Sequence, residues 1–220
     1  KRPILLCEKP FSGNLNDANY IVRLATNRST TIIVNYMRCF EPGSIQVKDK
    51  IRSGGLGERI FGVGRYTGDL INNGSHMVNL LYYWLGAIID VKPFAVNPNS
   101  QLERNRVDLL LKFNSGSVLL ISNPITEFNL FEVDLCGPEG RLYYQNSGQK
   151  ISWSNVNRDQ RIQGSKNLIT QYEDLPNDFY NYQWYVYDQI YQYLTNPIYP
   201  LPSTGEDALL TLEYLDQWLN

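Results

Sequence analysis

The sequence holds one histidine, His76, and it falls where a helical pattern begins, after the turn-forming segment Leu70-Ile71-Asn72-Asn73-Gly74. Imidazole is the side chain whose unperturbed pKa suits proton transfer near neutral pH, so His76 is a candidate general base. A lysine, Lys9, follows the apolar run Ile4-Leu5-Leu6-Cys7 within Glu8-Lys9-Pro10. Ligands of open α/β sheets bind beyond the carboxyl ends of the strands, and this spacing puts the Lys9 ammonium there. An ammonium in that place holds a substrate oxygen and stabilises negative charge developing on it. Pro10 fixes the exit direction of the chain, and an X-Pro bond has access to the cis form, which sets how the lysine is presented. Plainer readings stand beside both: a cap or packed ring for His76 and a solvated loop lysine for Lys9. Gly74-Ser75-His76-Met77 also occurs as the scar of a cleaved affinity tag. Here it is internal and runs without a break into Val78, Leu80, Leu81, Trp84 and Leu85, so His76 is taken as native.

Two frameworks have to position these residues. Over residues 1–40 the pattern is strand, helix, strand: Pro3 to Cys7, Asn14 to Asn27, then Thr30 to Met37. Such units are normally parallel with right-handed crossovers, and two strands about one helix do not complete a doubly wound sheet. Residues 1–40 therefore read as the tail end of a larger α/β domain. From about residue 43 an amphipathic helix carrying Ile45, Val47 and Ile51 closes at Gly54-Gly55, followed by a strand from Arg59 to Tyr66 and a helix from Gly74 to Leu85. Strands are then expected at Arg106 to Phe113, Ser117 to Ser122, Phe128 to Cys136, Arg141 to Gln145 and Lys150 to Asn155, several joined by hairpin-length turns. Residues 157–176 read as a loop or lid. Trp184, Tyr187, Tyr191 and Leu194 recur at helical spacing, which favours core packing of Asp178 to Leu194, and Ser203-x-x-Glu206 reads as the capping box of a last helix. The expected fold class is α+β: residues 41–220 as a domain with an open, mainly antiparallel sheet flanked by helices, preceded by the short Rossmann-type remnant.

Composition narrows the partners. The 220 residues are 43% hydrophobic and 19% charged with a formal charge of -2, so neither a nucleic-acid surface nor a disordered tail is expected. Three cysteines, Cys7, Cys39 and Cys136, lie far apart without C-x-x-C spacing, which fits reduced thiols in a cytoplasmic protein and argues against a metal site. The sequons at Asn27 and Asn73 are then chance matches, and no apolar run approaches a membrane span. Without an initiator methionine, and with a strand entered directly at its start, the chain reads as a fragment.

Five separated segments together resemble the Gfo/Idh/MocA oxidoreductases. Cys7-Glu8-Lys9-Pro10 is similar to the family's Glu-Lys-Pro motif, and Tyr36-Met37-Arg38-Cys39-Phe40-Glu41-Pro42 to its Arg-x-Phe-x-Pro element. Ile51-Arg52-Ser53-Gly54-Gly55-Leu56-Gly57-Glu58 resembles the helix end before the first strand of its C-terminal domain. Asn73-Gly74-Ser75-His76-Met77-Val78-Asn79-Leu80-Leu81 with Trp84-Leu85-Gly86 resembles its catalytic helix, and Ser203-Thr204-Gly205-Glu206-Asp207-Ala208-Leu209 its closing helix. The family's Gly-rich dinucleotide loop has no match in these residues.

The resemblance implies hydride transfer between a sugar or sugar-nucleotide carbinol and NAD or NADP, the branch acting on nucleotide-linked sugars being the nearer in motif. It implies Lys9 on the substrate oxygen, His76 as the base with Asn72 beside it, Glu8, Lys9 and Pro10 against the cofactor, and Arg38, Tyr66 and Asn73 as substrate contacts. It also implies that residues 1–40 are the C-terminal remnant of a dinucleotide-binding domain and residues 41–220 a substrate-binding and oligomerisation domain, with a homo-oligomer formed through the open sheet face. The sequence departs from the pattern at Asn72 and Asn79, where aspartates are common in the family. A neutral amide does not stabilise imidazolium as a carboxylate does, which leaves open a sugar-binding or assembly module that keeps the fold without turnover.

Overall fold

The computed structural model describes residues 3–95, 107–125, 127–159 and 162–218. Strands β1 (Ile4–Cys7) and β2 (Thr31–Val34) pair in parallel, Ile4 opposite Thr31, with helix α1 (Leu15–Asn27) as the crossover. Asn14 starts α1 as an N-cap, its side chain accepting from the Asp17 N–H at 2.9 Å. Helix α2 (Pro42–Arg52) follows, opened by Pro42 and capped by the buried Glu41, whose carboxylate accepts from the Ser44 N–H at 2.9 Å.

The large sheet contains β3 (Ile60–Thr67), β4 (Ile88–Ala95), β5 (Asp108–Phe113), β6 (Gly116–Asn123), β7 (Phe131–Gly137), β8 (Gly140–Gln145), β9 (Lys150–Arg158) and the short β10 (Lys166–Leu168), in the order β10-β9-β8-β7-β3-β6-β5-β4, with β11 (Glu173–Asp174) also on β9. All pairs are antiparallel except β3 with β6, so the open, mainly antiparallel sheet is as expected, with one parallel seam. Strand periodicity sorts its two faces. In register across five strands, Leu109, Leu120, Gly64, Val133 and Tyr144 point into the core, while Leu110, Leu119, Val63, Asp134 and Tyr143 face the other way. Gly64 is needed where helix α3 (Ser75–Leu85) crosses: a Cβ there would stand 3.1 Å from the Met77 sulfur. Trp84 of α3 anchors α2, donating from its indole to the Ser44 carbonyl at 3.1 Å.

Helix α5 (Gly205–Leu215) joins the two parts, packing on α1 and β2 and also on α3. Ala208 and Leu212 close a small core with Phe11, Ala18, Ile32, Val34 and Tyr36, beside the main core beneath the large sheet.

Several sequence expectations need correction. The capping box of α5 is Thr204 with Asp207, one residue later than read, because Ser203 is buried and the Thr204 hydroxyl meets the Asp207 N–H at 3.2 Å. Strand β4 was not anticipated, since Pro93 breaks its pattern; it is the edge strand beside β5, with irregular register around Pro93, where a missing N–H is tolerated. The loop expected over 157–176 contributes β10 and β11 to the sheet edge. On helix α4 (Tyr182–Thr195) the periodic aromatics do not pack inward: Trp184 is 67% and Tyr191 62% exposed, and Val186 and Gln189 are the buried side. Spacing alone identifies a stripe but not which way it faces. The expected start of β5 at Arg106 lies outside the described residues.

Candidate active site

Lys9 stands just past the carboxyl end of β1, and its peptide bond to Pro10 is cis. Its ammonium donates to the Asn72 side-chain oxygen. Asn72 belongs to a π-helical turn, Leu70–Gly74, inserted between β3 and α3. Asp69 caps that turn, its carboxylate accepting from the Asn72 N–H at 2.6 Å, while the wide turn closes with the Gly74 N–H on the Asp69 carbonyl at 3.1 Å. Extra-wide turns inside helices recur at functional sites because they re-aim side chains. Partial burial lowers the Lys9 pKa and Arg38 adds to this, whereas Asp69 and Glu8 act to raise it.

His76 lies in the first turn of α3 and is 4% exposed. The Tyr36 ring meets it edge-on at 5.3 Å between centroids. Its Nδ1 is buried and has no hydrogen-bond partner. Burial first, then the positive charges of Arg38 and Lys9, hold its pKa well below 6.5. At neutral pH the ring is therefore an uncharged imidazole with a free ring nitrogen, the form that accepts a proton.

Asn72, expected to orient His76 or to bind a sugar hydroxyl, gives its side-chain oxygen to Lys9 from within the π turn, and no hydrogen bond joins it to His76 among the described residues. Asn79 is turned away from the site. Its oxygen accepts from the Cys39 thiol at 3.2 Å and its nitrogen donates to the Thr211 hydroxyl at 3.0 Å, tying α3 to α5. Asn73 donates to the Thr67 carbonyl at 2.5 Å, so its amide secures the end of β3. Tyr66 is fully buried under Gly74, where a Cβ would come within 3.0 Å of its hydroxyl, so it supports the turn from below. Glu8 is exposed and its carboxylate accepts from the Asn35 amide at 2.8 Å, while Asn35 Oδ1 is buried without a partner.

Arg38 is 7% exposed in the 3-10 turn Met37–Phe40, with its guanidinium over the Phe131 ring at 3.8 Å and near the Phe179 ring at 5.3 Å. The structure thus brings Lys9, Asn72, His76 and Arg38 into one electrostatic neighbourhood and leaves Asn73, Asn79 and Tyr66 as its frame. Sequence reasoning missed Tyr36 and Asp69. Tyr36 sat inside a quoted motif two residues before Arg38, and Asp69 was readable as an acidic cap just before the turn.

No protein-family model matches the chain, and no curated protein matches it. Its fold is shared by solved oxidoreductases. An NAD-binding oxidoreductase from Klebsiella pneumoniae superposes with a TM-score of 0.78 at 16% identity, over 98% of this chain and 71% of that one. A UDP-N-acetylglucosamine 3-dehydrogenase from Acidithiobacillus ferrooxidans gives 0.70 at 12% identity, over 98% and 71%. A 3-ketoreductase from Actinomadura kijaniata, solved with TDP-benzene and NADP, gives 0.66 at 18% identity, over 96% and 67%. At these identities the likeness is one of fold.

Proposed function

We propose that this chain is the substrate-side portion of a NAD- or NADP-dependent oxidoreductase that acts on a sugar or sugar nucleotide by hydride transfer, with residues 1–40 belonging to its dinucleotide-binding domain. The observation that carries this reading is the pairing of an ammonium fixed by Asn72 with a buried, uncharged imidazole. The UDP-N-acetylglucosamine 3-dehydrogenase among its structural likenesses supports the substrate class, and the 3-ketoreductase solved with NADP supports the cofactor.

The residues at the end of β1 fit the nicotinamide end of such a cofactor. Glu8, Lys9 and Pro10 would hold it there, and the unpartnered Asn35 oxygen suits an amide N–H. When bound, the nicotinamide supplies the hydride acceptor. Lys9, steadied by Asn72, directs its remaining N–H donors to the substrate oxygen and stabilises its growing negative charge, worth more in a water-poor site. His76 takes the hydroxyl proton, a role that commonly contributes about a hundred- to ten-thousand-fold in rate. Phe61, exposed at 63% on the outward face of β3, supports pairing of that open face with a second copy, the homo-oligomer the resemblance implies.

Titrating the whole natural polypeptide with NAD(H) and NADP(H), followed by fluorescence, tests the reading: saturable binding of one of them is expected, and binding of neither overturns it. A second reading is favoured by one feature, the lack of a carboxylate on His76 Nδ1: a module that binds sugar without turnover. It predicts sugar binding that saturates while no member of a sugar-nucleotide panel is oxidised or reduced.

A further inference from the structure

Among the described residues, Arg38 is a buried cation with no counter-ion. Among the described residues no carboxylate forms an ion pair with it, and its Nε has no hydrogen-bond partner. The nearest acid along the chain, Glu41, is occupied: its two oxygens accept from the Ser44 and Asp178 backbone N–H groups at 2.9 and 2.8 Å. Burial lowers the Arg38 pKa, and the foremost groups acting against this are Tyr144 and Cys39, both kept protonated and neutral by their own burial. The Phe131 and Phe179 rings attract the cation but do not accept the hydrogen bonds that its planar fork offers.

A guanidinium sequestered in this way is costly unless an anion completes it. Lys9 differs, since Asp69 and Glu8 both act on it. The excess positive charge is therefore localised on Arg38, close enough to depress His76. Polar atoms on the His76 side are also unanswered: His76 Nδ1 and the hydroxyl of Tyr36, whose ring meets the imidazole edge-on, are buried without partners, as is Arg38 Nε. Proteins leave few such atoms, and several in one neighbourhood mark a place where a polar ligand completes the network.

We propose that the ligand of this site is acidic, and that Arg38 receives its carboxylate or phosphate oxygens while Lys9 and His76 address a neighbouring hydroxyl. This rests on the functional reading above only for the identity of the hydroxyl as the reacting group; the anion requirement follows from Arg38 itself. A planar fork fixed against two phenyl rings suits two parallel N–H···O bonds to one such group, which would also set the orientation of the sugar.

The test uses calorimetric binding to the whole natural polypeptide, with D-glucuronate as the carboxylate probe, glucose 1-phosphate as the phosphate probe, and D-glucose as the neutral control. At least one acidic probe is expected to bind ten-fold or more tightly than glucose. Arg38→Gln should weaken that probe by about thirty-fold or more, as loss of one partner of a buried charge pair commonly does, with glucose changed by less than about three-fold. Whichever probe responds distinguishes a sugar carboxylate from a phosphate. Should Arg38→Gln fail to fold, Arg38→Lys keeps the charge and loses the fork, and is expected to weaken the same probe by about ten-fold. Acidic probes binding no better than glucose, or binding equally to the Arg38 variants, overturn the proposal. Arg38-dependent binding of an acidic sugar with no nicotinamide bound would sustain this inference while overturning the oxidoreductase reading.

Discussion

At the scale of single residues, the site depends on charge held where water is scarce. His76 is uncharged in the fold because burial and two nearby cations oppose its protonation. The consequence for stability has a definite sign. Below about pH 6.5 the unfolded chain takes up a proton that the folded ring refuses, so His76 contributes stability above that pH and loses it as pH falls toward its lower folded pKa. Urea denaturation between pH 5 and 8 should show a stability loss on acidification of up to about 1.4 kcal/mol per pH unit from this one group, and His76→Gln should flatten that part of the profile. An unchanged profile in the variant would mean that the ring titrates normally. For turnover, Lys9→Met and His76→Gln are each expected to lower kcat by about a hundred-fold or more, read by nicotinamide absorbance. The places of Lys9 past a strand and of His76 at a helix start were legible from residue type and spacing, while their joining in one site came from the resemblance. The contact made by Asn72 was not: the resemblance put it beside His76, while from within a π turn, which sequence patterns do not register, its side-chain oxygen accepts from Lys9.

At the scale of elements, α3 carries the site on its first turn and the fold on the rest. Its residues from Ser75 to Leu81 are all buried, so the helix is set by packing on every side rather than by one apolar stripe. Asn79 is the polar link in that packing, between Cys39 and Thr211. Asn79→Ala should cost about 1–3 kcal/mol in thermal or urea unfolding, since it leaves the buried Cys39 thiol without its acceptor and removes the bond to Thr211, and should leave kcat within about three-fold of the parent. A hundred-fold loss of kcat at unchanged stability would instead place Asn79 in the chemistry. Trp84→Ala removes a fully packed indole and its bond to Ser44, and is expected to cost about 3–5 kcal/mol. Helix and strand boundaries were readable where caps and turns are strong, as at Asn14 and at the β7–β8 turn, and missed where local signals conflict, as at Pro93 in β4.

At the scale of the whole molecule, the large sheet is covered on one side and open on the other, where Leu110, Leu119 and Val63 adjoin the exposed Phe61. Sedimentation at micromolar concentration is expected to show a dimer or larger species that Phe61→Glu shifts toward monomer; a monomeric parent would remove the interface. The α+β class and the order of most elements followed from periodicity, whereas the direction faced by the α4 aromatics depended on distant packing that no local pattern records. The central claim is that Lys9 and His76 together serve hydride transfer from a sugar carbinol. The most direct measurement follows deuterium from the carbinol carbon of an acidic sugar nucleotide into the nicotinamide of the whole natural polypeptide. Label should appear in the reduced cofactor with the parent and fall at least about a hundred-fold in rate with His76→Gln. Sugar and cofactor both bound with no label transferred would contradict the account.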